Sequence, residues 1–300
     1  MNKPERQVGV ETPPAVLYLT EENSAEAVLS RFTKCDDPRL KAVMTSIIRH
    51  LHAVVKETEP SFQEWMMAID FLTRTGQKCD DRRQEWILMS DTLGVSMLVD
   101  AINHRKPSEA TQTTVLGPFF VEGAPVLPMG ADIDLEGKGP PLVMSGRVLD
   151  RHGKPIEGAK IDVWQSNIEG FYDVQQPGIQ PDMNLRGRFE TGPDGAFSFR
   201  TARPRFYPVP TDGPVGQLLE ALGRHPYRPA HVHFMIAAPG YETLITHLFL
   251  RGDPYLTSDA VFGVKEALVI DFIEHDDPAA AAANKVANPY FTATYDFVLA

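Results

Sequence analysis

Cysteine is scarce in this sequence, which has two among its 300 residues, Cys35 and Cys79. Two cysteines are too few for a disulfide scaffold or for a zinc site made of four thiolates. The first 19 residues have a polar start, adjacent prolines and no apolar centre, so they do not resemble a secretory signal peptide. We therefore expect a reducing compartment and a cytoplasmic location.

Positive charge and long apolar runs are also lacking. Lysine and arginine number 29 against 40 acidic residues, which gives a net charge of −11. This balance excludes the concentrated basic face that a nucleic-acid partner requires. No window approaches the ~20 apolar residues of a membrane span. The length exceeds the ~100–150 residues of a typical domain, so we expect two domains.

Helical patterns dominate residues 1–110, the first predicted domain, after a loosely ordered arm at residues 1–20. Apolar residues recur with helical spacing from Leu40 to Val55, which predicts an amphipathic helix with a buried stripe that packs on the rest of the protein. Ser61 and Glu64 form a capping-box pair that opens the next helix. A further helix is predicted from about residue 81 to residue 104.

Short strands separated by turn signals dominate residues 111–300, the second predicted domain. This pattern indicates a β-sandwich, so the predicted fold class is α+β, with a mainly antiparallel sandwich after an N-terminal helical domain. The predicted strands are Val143–Leu149, Ala159–Trp164, Arg188–Glu190, Ala196–Arg200, Ala230–Ile236, Leu244–Leu250, Ala267–Phe272 and Phe291–Leu299.

His231 and His233 form a candidate metal clip on one predicted strand. Side chains two apart on a strand share a face, so both imidazoles can reach one ion. Zinc, copper and iron all accept imidazole, and a third histidine for zinc is expected at His225 or His247. The alternative is a strand with one core and one surface histidine.

Tyr172 and Tyr207 extend this set, because each follows a predicted strand region. Either one could be an ordinary packed aromatic residue. Together with His231 and His233 they form a group of four possible ligands.

Four motifs make the sequence similar to a known family. On them the chain resembles the intradiol ring-cleavage dioxygenases, specifically their hydroxyquinol 1,2-dioxygenase branch, from about Ala25 to Phe272. The motifs are Thr75-Gly76-Gln77-Lys78-Cys79-Asp80-Asp81, Val115-Leu116-Gly117-Pro118-Phe119, Asp162-Val163-Trp164-Gln165 and Arg228-Pro229-Ala230-His231-Val232-His233-Phe234.

The resemblance implies a metal site. By it, Tyr172, Tyr207, His231 and His233 bind one non-haem Fe(3+) per subunit, with a solvent hydroxide as fifth ligand. The residue types suit this ion, because a phenol with a pKa of ~10 becomes a hard phenolate ligand beside a trivalent cation.

The resemblance also implies the reaction. A diol substrate chelates the iron and displaces Tyr207, which acts as the base, while Tyr172 stays bound. Arg228 lies near the reacting ring, where a fixed cation stabilises developing negative charge. Dioxygen then opens hydroxyquinol (benzene-1,2,4-triol) to 3-hydroxy-cis,cis-muconate, the tautomer of maleylacetate. Both oxygen atoms enter the product.

Asp91 is the residue expected to select the substrate. Its carboxylate can accept a hydrogen bond from the third ring hydroxyl, which catechol lacks. The alternatives are a catechol or chlorocatechol 1,2-dioxygenase and, more distantly, a non-catalytic β-sandwich binding module. His247 stands where catechol enzymes usually carry glutamine, so its role is open. The expected substrate-binding residues are Leu88, Asp91, Val115, Gly117, Pro118, Phe119, Val209, Pro210, Arg228, His247 and Val261.

The N-terminal helices have an expected partner as well. Family resemblance implies that they form a homodimer interface, in some members with a phospholipid bound there. The apolar stripe from Leu40 to Val55 permits this arrangement.

Overall fold

A computed structural model of the chain describes residues 18–81 and 83–300. They form two compact units, one ending at Asp70 and the other running from Phe71 to Ala300. The arm expected at residues 1–20 lies almost entirely outside the described residues. The domain boundary expected between residues 110 and 111 stays a prediction.

The first unit contains helices. Those that it holds wholly or in part are α1 (Ser24–Leu29), α2 (Pro38–Thr58) and α3 (Phe62–Gln77). The capping box that opens α3 forms as predicted, because the Ser61 hydroxyl accepts from the Glu64 backbone N–H and the Glu64 carboxylate accepts from the Ser61 backbone N–H. Among the described residues no helix has both the length and the apolar character needed to cross a membrane.

The apolar stripe of α2 is exposed, so the expected burial is wrong. Leu51, Val54 and Val55 have exposed fractions of 57%, 54% and 55%. The helix itself forms over the predicted stretch. Periodicity shows which face of a helix is apolar, but not what covers that face.

The helix predicted up to residue 104 is divided into α4 (Glu85–Thr92) and α5 (Val95–Asn103). Gly94 lies between them with φ 74°, a left-handed conformation that residues with a Cβ rarely adopt. The apolar periodicity continues through this break, which explains why one helix was expected. Asp91 consequently lies in the last turn of a short helix.

The described residues of the second unit contain α4 and α5, followed by twelve strands with two more helices between them. The helices are α6 (Pro214–Ala221) and α7 (Pro278–Asn284). The strands are β1 (Pro141–Leu149), β2 (Lys160–Trp164), β3 (Arg186–Glu190), β4 (Ala196–Ala202), β5 (Tyr207–Pro208), β6 (Tyr227–Arg228), β7 (His231–Ala237), β8 (Leu244–Leu250), β9 (Val269–Ile270), β10 (Ile273–His275), β11 (Tyr290–Thr294) and β12 (Phe297–Val298).

Two five-stranded sheets make the sandwich. One has the order β10-β11-β1-β12 with β4 also paired to β1, and the other has the order β3-β2-β7-β8-β9. The α+β class is confirmed, but the sheets are mixed, since β1 is parallel to β11 and β12, and β8 is parallel to β9. Parallel neighbours need a long connection, which local turn signals do not reveal.

Two predicted strands near the C-terminus are interrupted. The segment Ala267–Phe272 begins in a 3-10 helix, Glu266–Leu268, and becomes extended only at β9. The segment Phe291–Leu299 is divided between β11 and β12. At the interruption the Tyr295 backbone N–H still donates to the Ser145 carbonyl oxygen at 3.1 Å, so this segment stays attached to β1.

The core between the sheets is rich in phenylalanine. The rings of Phe189 and Phe199 stack with centroids 5.3 Å apart, and those of Phe234 and Phe297 lie 4.8 Å apart. Each buried aromatic pair adds about 0.5–1.5 kcal/mol beyond the free energy of burying its area.

Strand β7 separates this core from the candidate site. Val232, Phe234 and Ile236 belong to the core between the sheets. Because side chains alternate along a strand, His231 and His233 point to the opposite face of the sheet. A register shift of one residue would exchange the two sets, so the core packing also fixes where the histidines point.

Gly146 on β1 provides a test of this packing. A Cβ at this position would overlap the Tyr295 carbonyl oxygen and come within 2.9 Å of the Phe197 ring. We expect Gly146→Ala to lower the free energy of unfolding by more than about 2 kcal/mol, because the overlap is with backbone and forces strands apart. Urea unfolding measures the change. Gly192→Ala is the control, since its Cβ would meet only the Asp194 carboxylate at 3.6 Å, and an equal loss in both variants would contradict the expectation.

Candidate metal centre and substrate cavity

His231 and His233 bring their Nε2 atoms to within 3.1 Å of each other. Both side chains are buried. The His231 Nδ1 atom lies 2.7 Å from the Pro229 carbonyl oxygen. A carbonyl only accepts, so Nδ1 carries the proton and Nε2 presents a lone pair. The His233 ring is held differently, by stacking on Trp164 at 4.7 Å between centroids.

Tyr172 and Tyr207 complete a ring of four donor atoms with the two histidines. The two phenol oxygens are 3.2 Å apart, the Tyr172 oxygen is 3.0 Å from the His233 Nε2, and the Tyr207 oxygen is 3.5 Å from the His231 Nε2. A metal with ligand bonds of about 2.0–2.2 Å holds neighbouring donors at roughly this spacing. The four residues therefore fit one ion.

Local structure places each tyrosine in this ring. Tyr172 precedes a 3-10 helix, and its ring stacks on Phe119 with centroids 4.5 Å apart. Tyr207 lies on the two-residue strand β5, directly opposite Arg228 on β6. Gly170, with φ +88°, lets the chain pass close by, since a Cβ there would lie 2.9 Å from the Tyr207 Cβ.

Without a cation, His231, His233 and Tyr172 carry no charge. Burial lowers the pKa of both His231 and His233 well below the usual value, so both imidazoles are neutral. Burial also raises the pKa of the Tyr172 phenol well above its usual value, and the neighbouring Tyr207 adds to this. Neutral imidazole is the form that binds metals, and a cation in the ring would favour phenolate.

Arg228 places a buried positive charge beside this ring. Its Nη1 lies 3.4 Å from the His231 Nε2, and its Nη2 lies 3.4 Å from the His247 Nδ1. Burial acts to lower the pKa of the guanidinium, but the Asp259 carboxylate and the two phenols outweigh this, so the pKa lies above its usual value. The group is therefore a permanent cation next to the donor atoms.

His247 joins the histidines in space. It lies opposite His233 in the β7–β8 register, with ring centroids 4.0 Å apart. The nitrogen donors of His231, His233 and His247 come within 4.8 Å of one another. By contrast His225, the other third histidine considered, bonds to the Ser258 hydroxyl at 2.9 Å. His231, His233 and His247 therefore form a second possible set of metal ligands.

A cavity of about 490 Å³ opens beside the donor ring. Gly117 and Phe119 connect the two, because the Gly117 backbone, at φ +78°, comes so close that a Cβ would lie 3.0 Å from the His233 Cε1. Seven of the expected substrate-binding residues line the cavity, and they are Leu88, Asp91, Val115, Gly117, Pro118, Phe119 and Pro210.

The other expected pocket residues have different positions. Val209 and Val261 form a small apolar cluster with Leu219, on which Leu88 packs, so they support the wall. The sequence did not predict the lining residues Arg83, Gln84, Glu85, Ile87, Ser96 and Leu116. The positions of Ile87 and Leu116, each next to an expected pocket residue, were the sequence signal that could have indicated them.

Asp91 is an acidic side chain in the cavity wall, and its exposed fraction is 9%. Burial raises its pKa, the Ser96 hydroxyl and the attraction of Arg228 oppose this, and the repulsion of Asp259 adds to it. A buried carboxylate in a largely apolar cavity is costly unless hydrogen-bond donors face it.

Comparisons with known proteins identify the family. A family model described as "Dioxygenase" matches residues 115–300, and one described as "Catechol dioxygenase N terminus" matches residues 37–111. Hydroxyquinol 1,2-dioxygenase of Rhizobium sp. (strain MTP-10005) is 61% identical over 284 residues, which cover 94% of this chain and 96% of that protein.

Solved structures show the same likeness. Hydroxyquinol 1,2-dioxygenase from Pseudomonas putida DLL-E4 superposes with a TM-score of 0.87 at 51% identity, covering 93% of this chain and 98% of that one. A mercury-inhibited catechol 1,2-dioxygenase from Acinetobacter sp. ADP1 has a TM-score of 0.81 at 30% identity, covering 93% of this chain and 91% of that one.

The raised pKa of Asp91 leads to a prediction about stability and pH. The folded state favours the protonated carboxyl, so wild-type stability falls as pH rises from the unfolded value of 3.8 through the raised folded value. Asp91→Asn removes this titration. We expect the variant to gain stability relative to wild type between pH 4 and pH 7, as measured by urea unfolding.

Asp150→Asn is the matched control, with the opposite sign. Backbone N–H groups, chiefly that of Lys154, lower the pKa of Asp150, so its ionised form stabilises the fold and this contribution is lost as pH falls. The control variant should lose stability relative to wild type at pH 7. A pH-independent difference for Asp91→Asn would contradict the expectation.

Proposed function

The chain belongs to the intradiol ring-cleavage dioxygenases, and from this membership we propose that it opens hydroxyquinol with dioxygen to 3-hydroxy-cis,cis-muconate, the tautomer of maleylacetate. The observation that carries the substrate proposal is the buried Asp91 carboxylate in the wall of the cavity beside the donor ring. Hydroxyquinol has a third hydroxyl that can donate to it, whereas catechol has no hydroxyl in that position.

One Fe(3+) per subunit is the cofactor of this proposal, held by Tyr172, Tyr207, His231 and His233. The support is the closed ring of four donor atoms with separations of 3.0–3.5 Å. Held by these residues, a ferric ion would favour the phenolate form of its tyrosine ligands and would supply a Lewis acid to which two adjacent ring oxygens of the substrate could bind, which would prepare the ring for reaction with dioxygen.

Tyr207 is the residue that we assign as the base. Its oxygen has the longest contact in the ring, 3.5 Å to the His231 Nε2, and β5 has only two residues. The oxygen of Tyr172 has the shorter contacts, and Phe119 stacks on its ring. A proton from a substrate hydroxyl therefore passes to the Tyr207 oxygen, while Tyr172 keeps its place.

Arg228 holds its charge where negative charge develops on the substrate. Its guanidinium is buried and already oriented, so little reorganisation accompanies the reaction. Its burial in the protein keeps bulk water away from it, which strengthens the attraction. We assign His247 to the pocket, where its Nδ1 accepts from Arg228 at 3.4 Å.

Catechol or chlorocatechol cleavage is the alternative substrate assignment, and the likeness to the Acinetobacter catechol enzyme favours it as the second candidate. The identity is 30% there against 61% for the Rhizobium hydroxyquinol enzyme. A non-catalytic binding module is disfavoured, because packing alone does not require four converging donor atoms. A cytoplasmic location remains part of the proposal, and both cysteines are free thiols.

Measurement of metal content, products and rates tests the function. The purified protein should contain one iron per chain, show a tyrosinate-to-iron charge-transfer colour, and convert hydroxyquinol faster than catechol. Asp91→Asn should lower the ratio of kcat/KM for hydroxyquinol to that for catechol by about 10-fold, because a neutral amide oxygen accepts the hydrogen bond more weakly than a carboxylate. Faster wild-type turnover of catechol would reject the hydroxyquinol assignment, and a folded protein without iron would reject the enzyme.

A homodimer formed through the N-terminal helices is the proposed assembly, with a phospholipid as a candidate ligand at the interface. The support is the exposed apolar stripe of α2 described above. Exposed apolar faces of this kind typically pack against a partner in solution.

A charged substitution on the apolar stripe of α2 tests the proposed homodimer. We expect Leu51→Glu to convert a dimer to a monomer in sedimentation equilibrium, because a buried carboxylate without a partner opposes association. Arg49→Glu is the control, since Arg49 lies about 200° around the helix from Leu51. A monomeric wild type would contradict the dimer, and lipid extraction with mass spectrometry checks for a bound phospholipid.

A further inference from the structure

Arg228 is a buried positive charge that needs a negatively charged partner within the protein. Its exposed fraction is 4%, and a buried cation without a counterion is costly. Within residues 18–81 and 83–300, Asp259 is the carboxylate bonded to it, with Oδ1 3.2 Å from the Arg228 Nε and Oδ2 3.4 Å from its Nη2. Asp259 is buried as well.

Asp259 uses its remaining hydrogen-bonding capacity on its own loop. Oδ1 accepts from the Val261 backbone N–H at 3.3 Å, and Oδ2 accepts from the Gly263 backbone N–H at 2.9 Å. The carboxylate therefore closes the loop at residues 259–263 around itself. Val261 of that loop belongs to the apolar cluster on which Leu88 packs.

Gly263 is what allows the loop to fit around the ion pair. A Cβ there would lie 2.9 Å from the Arg228 Nη2 and 3.1 Å from the Asp259 Oδ2. Arg224 holds the outer side of the same loop, donating to the Ala260 carbonyl oxygen at 2.9 Å. The loop is thus fixed on both sides, and the position of Asp259 is fixed with it.

Because of the shape of a guanidinium group, the position of Asp259 determines the direction in which Arg228 points. Its donors form a rigid planar fork, so holding one edge sets the direction of the rest. With Nε and Nη2 engaged by Asp259, Nη1 points to the His231 Nε2, at 3.4 Å, in the donor ring. A change at Asp259 therefore alters where the positive charge lies relative to the reacting atoms.

We propose that Asp259 is the positioning residue for Arg228: it aims the guanidinium at the donor ring and, through the loop at residues 259–263, supports the pocket wall. The inference rests on the proposed ring-opening function. Asp259 acts through Arg228 and contacts no substrate. Because Arg228 stabilises charge that develops during the reaction, loss of its aim lowers kcat more than it raises KM.

A double-mutant cycle tests the coupling. Asp259→Asn should lower kcat by about 10- to 100-fold when Arg228 is present, with a KM change below about threefold. In an Arg228→Gln background the same substitution should change kcat by less than about twofold, because its target is gone. The tyrosinate-to-iron absorption should persist in every variant. Equal losses in both backgrounds, or loss of the absorption, would show a merely structural role and overturn the proposal.

Two further variants protect the test against a folding defect in Asp259→Asn. Gly263→Ala keeps both charges but crowds the fork, so it should also lower kcat, and an unchanged kcat would refute the importance of aim. Asp296→Asn is the control, since it weakens the Asp296–Arg147 pair, with contacts of 2.9 Å, at the sheet that does not carry the histidines. It should leave kcat within about twofold of wild type.

The choice of substrate separates this proposal from the proposed function. The cycle is measured with whichever of hydroxyquinol and catechol the wild type opens faster. A catechol preference with the coupling intact rejects only the substrate assignment, whereas a hydroxyquinol preference without coupling rejects only the role of Asp259.

Discussion

The alternation of side chains along β7 is the constraint on which the rest of the structure depends. One face of this strand supplies Val232, Phe234 and Ile236 to the core, and the other supplies the two histidines to the site. The hydrophobic free energy of the core therefore holds the strand in register, and the histidine geometry follows from it. The function is built on the outer face of a sheet whose inner face folds the protein.

The site combines uncharged donors with one strong charge, and this combination explains its surroundings. The neutral imidazoles can be buried at moderate cost, because His231 bonds to the Pro229 carbonyl oxygen and His233 to the Tyr172 phenol. The Arg228 guanidinium cannot, so a carboxylate and a closed loop accompany it. Asp259 and the loop at residues 259–263 therefore stabilise the Arg228 cation in a buried position, where little water screens its charge.

Local spacing predicted the parts of the protein that depend on neighbours in sequence. The α2 helix, the capping box at Ser61 and the His231–His233 pair follow from periodicity, and the structure has all three. The mixed pairing of β1 and the exposure of α2 depend on tertiary packing, and the break at Gly94 was hidden because the apolar periodicity continues through it. The role of Tyr172 and Tyr207 as iron ligands came from family resemblance, and Asp259 was missed because only the fold places it beside Arg228.

The four donor atoms belong to three chain segments that are far apart in sequence, around residues 172, 207 and 231–233. An ion bound by all four would act as a cross-link, closing loops of several tens of residues much as a disulfide does. Both cysteines of this chain are free thiols, so the bound ion would provide the cross-link that a disulfide provides in other proteins. Catalytic competence and resistance to unfolding would then be lost together when the ion leaves.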